Sequence, residues 1–138
     1  MLPARPLRVL LVEDNPINQK LAARLLEKEG HTVVVVGNGK EALAALAGEP
    51  DIDLVLMDLH MPEMDGLEAT LHIRLREQGT GRRLPIVAFT AQAEYAERER
   101  CREAGMDGYV TKPAPRQVLF RAIADALAVT ASPGRWAD

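Results

Sequence analysis

With one cysteine, Cys101, the chain cannot close an internal disulfide, which fits a reducing compartment such as the cytosol. Cys101 lies among charged residues of a helical stretch and reads as a bystander. Basic runs are absent and the net charge is −3, so nothing in the charge pattern suits nucleic acid. No apolar stretch approaches the roughly 20 residues that span a bilayer. The opening Met1-Leu2-Pro3-Ala4-Arg5-Pro6 lacks the apolar core of a signal peptide. Repeats and low-complexity tracts are missing too. The three histidines, His31, His60 and His72, have no metal-ligand spacing and read as structural or surface residues. What remains is a chain of 138 residues, 47% hydrophobic, which is enough for one domain with a genuine core. The expected division is an extension over residues 1–6, a domain over 7–129, and a tail or linker over 130–138. That tail holds Ser132-Pro133-Gly134 and Trp136.

Hydrophobic runs and helical segments alternate along that domain. Leu7–Val12, His31–Val36, Leu54–Met57, Leu84–Phe89 and Gly108–Thr111 are short and largely continuous in apolar residues, the pattern of parallel strands buried on both faces. Asn15-Pro16 opens the first helix with a capping residue and a proline in the first turn, and Gly30 closes it. Leu21, Leu25 and Leu26 are expected to form its apolar stripe, and Leu67, Leu71 and Leu75 are spaced by four in the third helix. The remaining helices are expected over Lys40–Ala47, Ala93–Ala104 and Arg116–Val129, the last with Leu119, Phe120, Ile123 and Leu127 inward. Such alternation predicts a doubly wound α/β fold with a five-stranded parallel sheet and helices on both faces.

In such a sheet the carboxyl ends of the strands share one edge, where ligands bind. The first run ends on Glu13-Asp14, the third on Asp58, the fourth on Thr90 and the fifth on Lys112-Pro113. Taken singly, these residues have plain readings. Glu13-Asp14-Asn15-Pro16 suits a helix start, Thr90 suits a cap, and Asp65-Gly66 suits a turn and cap rather than a ligand. Lys112-Pro113 suggests a cis bond in a tight turn. Taken jointly, three carboxylates, a hydroxyl and a lysine converge. The crowded carboxylates repel one another and favour a divalent cation, and oxygen ligands suit Mg²⁺.

Val12-Glu13-Asp14-Asn15, the block from Met57-Asp58 to Asp65-Gly66, Phe89-Thr90-Ala91 and Thr111-Lys112-Pro113 together resemble a response-regulator receiver domain of two-component signalling. The resemblance runs over about residues 7–128 and is nearest the receivers of hybrid sensor histidine kinases. It implies a flavodoxin-like strand order 2-1-3-4-5 and Asp58 as the phosphoryl acceptor. It also implies Mg²⁺ held by Asp14, by Asp58, by Glu13 through water, and by the backbone carbonyl of His60. Lys112 and Thr90 would contact phosphoryl oxygens, Tyr109 would be the switching aromatic, and His60 and Gln92 would gate water attack. The partner implied is a histidine kinase or a histidine-phosphotransfer domain. Many members carry two aspartates where this chain has Glu13-Asp14, and the longer glutamate still reaches the metal's water shell. Ile17, one turn from the acidic pair, either docks that partner or packs under the adjacent loop.

Two other classes share the architecture. A flavodoxin-like flavin module wants hydroxyl-rich phosphate-binding loops where this chain has acids. An Mg²⁺-dependent aspartyl phosphatase wants paired acids after a strand, whereas Asp51-Ile52-Asp53 precedes one. With no effector region apparent, the chain is expected to be a single-domain regulator or part of a larger kinase, cytoplasmic in either case.

Overall fold

The computed structural model describes residues 6–49, 51–91 and 94–129. Strands β1 (Arg8–Val12), β2 (Thr32–Val36), β3 (Leu54–Met57), β4 (Ile86–Thr90) and β5 (Gly108–Thr111) form one parallel sheet in the order β2-β1-β3-β4-β5. Helices α1 (Pro16–Lys28), α2 (Gly39–Gly48), α3 (Gly66–Glu77), α4 (Tyr95–Ala104) and α5 (Arg116–Val129) alternate with the strands. The doubly wound expectation and its strand order are both observed.

Side chains that alternate along each central strand build two separate cores. Leu10, Val12, Val55, Met57, Ile86 and Ala88 face α2, α3 and α4. Their neighbours Val9, Leu11, Leu54, Leu56, Val87 and Phe89 face α1 and α5. Because both faces are covered, β1, β3 and β4 carry almost no polar residue. β2 departs from that pattern. It is one of the two edge strands, and Thr32 and Val35 are exposed and the other valines only half-buried.

Asn15 caps α1 as its side-chain type suggests, its Oδ1 accepting from the backbone N–H of Ile17 at 2.9 Å and of Asn18 at 3.2 Å. Asp65 caps α3 through the N–H of Glu68 at 2.9 Å, and Lys112-Pro113 is cis. Two apolar stripes differ from expectation. On α1 the buried residues are Ala22 and Leu26, while Leu21 is 59% exposed. On α3 they are Gly66, Ala69, Thr70 and Ile73, leaving Leu71 and Leu75 outside. Gly66 opens the helix against the Asp58 carbonyl, and Ala69 and Ile73 follow on the inward face, leaving the two leucines on the outer side. α4 is described from Tyr95, and Ala93, where a helix start was expected, lies outside the described residues, as does the tail from 130 to 138.

The opposite, amino-terminal edge is fastened by charge. Asp107, 1% exposed at its side chain, accepts from Arg74 Nη2 at 2.8 Å and from the backbone N–H of Ile86 at 2.9 Å through Oδ2. Its Oδ1 accepts from Arg83 Nη2 at 2.8 Å and Nε at 3.1 Å. Replacing this carboxylate removes the buried counter-charge of two guanidinium groups and the acceptor of one buried N–H. Asp107→Ala is expected to lower unfolding free energy by about 3 kcal/mol or more, measured by urea denaturation at pH 7. A loss below about 1 kcal/mol would show that water replaces the carboxylate.

Candidate functional site

Each acid at the carboxyl edge is held by continuation of the strand ladder. Glu13 N–H donates to Val36 O at 3.0 Å and Asp58 N–H to Val12 O at 2.9 Å. Lys112 N–H donates to Thr90 O at 2.7 Å, so the lysine leaves β5 in register with β4. The residues are thus fixed by backbone pairing before any side chain makes contact. Gly66 is needed for the same reason. A Cβ there would stand 2.3 Å from the carbonyl oxygen of Asp58, so any side chain would push α3 off the acceptor loop.

Carboxylate oxygens of Glu13, Asp14 and Asp58 all lie within 4.8 Å of one another. Glu13 and Asp58 are buried and Asp14 is exposed, which leaves the cluster open to solvent on one side. Lys112 Nζ donates to Glu13 Oε1 at 2.5 Å and lies 3.7 Å from Asp58 Oδ2, and it also sits 5.5 Å from the centroid of the Phe89 ring. Glu13 Oε2 accepts the Asn15 N–H at 3.1 Å, and Gln19 Nε2 donates to the Glu13 carbonyl at 2.6 Å. Both carboxylate oxygens of Glu13 therefore already have donors. Asp58 Oδ1 accepts the Leu59 N–H at 2.8 Å. Burial pushes the Asp58 carboxyl up to about 6, with Glu13 adding to the rise, while Lys112 and the Leu59 and His60 amides pull it down. One ammonium thus faces three carboxylates. An all-oxygen set carrying that excess of negative charge, with an open side for water, fits a hard dication such as Mg²⁺.

The other expected residues fall in different places. Thr90 is fully buried as the last residue of β4, beside the strand that ends at Asp58. Tyr109 is half-buried on β5, packed against the core on the α4 side, and burial pushes its phenol up to about 12, with Glu97 next among the causes. Ile17 is 70% exposed on α1, so it does not pack under the adjacent loop. Gln92 lies outside the described residues. His60 turns its ring away from the acids. Its Nε2 lies 3.2 and 3.3 Å from the two oxygens of Glu97 on α4. Glu97 is the residue that sequence reasoning missed. It sits in a helix rich in charge, and nothing local separates it from its neighbours. Asp51 and Asp53, the acids that mimicked a phosphatase pair, face Arg8 at the far end of the sheet. Asp53 accepts its backbone N–H at 2.8 Å, and Asp51 lies 3.5 Å from its Nε.

Comparison with known proteins points the same way. The family model for the response regulator receiver domain matches residues 9–124. Sensor histidine kinase GacS of Pseudomonas protegens is 46% identical over 123 residues, covering 88% of this chain and 13% of that protein. Probable histidine kinase 4 of Oryza sativa is 41% identical over 133 residues, covering 83% of this chain and 13% of that protein. The chain therefore spans a small part of these relatives' length. The receiver domain of a Pseudomonas aeruginosa sensor histidine kinase, whose structure has a magnesium ion coordinated in the active site cleft, matches with a TM-score of 0.78 at 40% identity. That match covers 90% of this chain and 99% of that one.

The raised Asp58 pKa has a sign that can be tested. Its ionised form is disfavoured in the fold, so at pH 7 the charge costs stability, and that cost fades as pH falls through about 6. In chelator at pH 7, Asp58→Asn is expected to stabilise the chain by about 1–3 kcal/mol, with the gain gone at pH 4. Millimolar Mg²⁺ is expected to raise the melting temperature of the native chain and to do so far less for Asp58→Asn. Equal Mg²⁺ shifts in both proteins, read by calorimetry, would move the cation away from this cluster.

Proposed function

Since the chain belongs to the response-regulator receiver family, we propose that it accepts a phosphoryl group from a phosphohistidine onto Asp58. The observation that carries this reading is the placing of the Asp58 carboxylate at the end of central strand β3, among two other carboxylates and within reach of one lysine. An Asp58 oxygen attacks phosphorus, the phosphorus–nitrogen bond to the donor imidazole breaks, and an acyl phosphate forms on Asp58. Such a transfer needs positioning and charge neutralisation more than covalent help. The Lys112 ammonium, 3.7 Å from Asp58 and clasped by Glu13, is placed to turn to the incoming phosphoryl oxygens. The Thr90 hydroxyl would donate to another of those oxygens.

Asp14, Asp58 and the His60 backbone carbonyl would hold Mg²⁺, which supplies positive charge against the phosphoryl oxygens. Glu13 would act through a bridging water, since both its oxygens are already engaged. Drawing Thr90 toward the phosphoryl group would open space into which Tyr109 turns, biasing α4 between two positions. His60 and Gln92 would gate the water that ends the signal. The lone reduced cysteine and the kinase relatives support a cytoplasmic setting, at the membrane's cytoplasmic face if the parent protein is a hybrid sensor kinase.

Acetyl phosphate with Mg²⁺ is expected to add one phosphoryl group to the native chain, none to Asp58→Asn, and little to Asp14→Ala, read by intact-mass spectrometry. Amide spectra of the loaded chain should move along Thr90 to Tyr109. Labelling of Asp58→Asn to the native extent would remove the acceptor assignment, and shifts confined to the Asp58 pocket would make Tyr109 a fixed ring.

The partner reading rests on α1. Ile17 and Leu21, one turn apart, are 70% and 59% exposed. They adjoin a groove lined by Leu25, Phe89, Pro113 and Ala114 beside Lys112. A helix bearing the phosphohistidine and lying along that groove would bring its imidazole over Asp58. Ile17→Asp is expected to slow transfer from a phosphorylated histidine-phosphotransfer domain by roughly tenfold or more, while loading from acetyl phosphate stays near native. Equal slowing of both reactions would withdraw the docking surface.

A further inference from the structure

His60 belongs to two environments at once. Its backbone amide helps to pull the Asp58 carboxyl down, while its ring lies 3.2 Å from Glu97 on α4. Glu97 is only 6% exposed. A buried carboxylate needs compensating donors, and the Arg100 guanidinium stands farther away at 3.8 Å. The His60 ring stands nearer than that guanidinium and is itself more than half exposed. Among the described residues, no acid of the carboxylate cluster lies within ion-pair distance of that ring.

We propose that Glu97 is a positioning residue that holds the His60 imidazole on α4 and out of the acceptor pocket, and so lengthens the life of the phosphoryl group. The proposal rests on Asp58 being the acceptor. Hydrolysis of the acyl phosphate forms a bond between water oxygen and phosphorus and breaks the one between phosphorus and the Asp58 oxygen. The carboxylate leaves, and the water proton passes to a base. A released His60 ring, two residues from Asp58, reaches that water and accepts its proton before passing it to solvent. Held against Glu97, it does not.

The chain is loaded with acetyl phosphate and Mg²⁺, desalted, and its loss of phosphoryl group followed by intact mass. Glu97→Ala is expected to shorten the lifetime by roughly threefold or more, and Glu97→Asp, which keeps the buried charge but withdraws it from the ring, in the same direction. Glu97→Gln, whose amide oxygen still accepts from the ring, should stay near native. In a His60→Ala background the Glu97 substitutions should have no further effect, because the group they act through is gone. A lifetime unchanged or lengthened in both Glu97→Ala and Glu97→Asp would overturn the proposal, as would the same shortening in the His60→Ala background. Failure of the native chain to load would instead remove the acceptor reading itself.

Discussion

Lys112 reaches across the sheet to Glu13, and the arrangement of the carboxyl edge depends on that span. Their strands, β5 and β1, are separated by β4 and β3, so three strand spacings of about 4.8 Å, or about 14 Å, lie between them. A long lysine and a glutamate close that span, the ammonium meeting Glu13 Oε1 at 2.5 Å. The ammonium consequently passes over Asp58, which sits between them. The glutamate that departs from the commoner aspartate pair is the residue that clasps the lysine.

That bridge also sets the charge balance. By donating to Glu13 at 2.5 Å while staying 3.7 Å from Asp58, Lys112 neutralises one buried carboxylate and leaves the other to bear the cost of burial. Burial disfavours the Asp58 anion, its carboxyl being pushed up to about 6. A group in that condition gains most from whatever positive charge arrives, and it is the one in the middle of the sheet.

The strands were legible because burial on both faces removes polar residues, and a parallel sheet then gathers their following residues on one edge. Glu13, Asp14, Asp58, Thr90 and Lys112 follow from that topology alone. Helix faces were less legible. Spacing by four identified Leu67, Leu71 and Leu75 as a stripe, but the face that is buried holds Gly66, Ala69, Thr70 and Ile73 instead. Periodicity finds a face without saying which side of it the sheet occupies. The partnership of His60 with Glu97 was illegible for a different reason. It joins residues 37 apart, one in a loop and one in a helix where most side chains are charged.

The two ends of α4 are built unequally. At its start Glu94 gives no side-chain cap. At its finish the Gly105 carbonyl accepts from Arg74 at 2.9 Å and from Arg83 at 3.1 Å, two residues before Asp107 receives the same two guanidinium groups. α4 is thus tied to the amino-terminal edge of the sheet at its finish, and to the acceptor loop at its first turn through Glu97 and His60. At that first turn Tyr95 stands 77% exposed. A displacement of the acceptor loop would therefore reach α4 at its first turn and be opposed at its finish, where two arginines hold the Gly105 carbonyl at the edge of the sheet remote from all the chemistry.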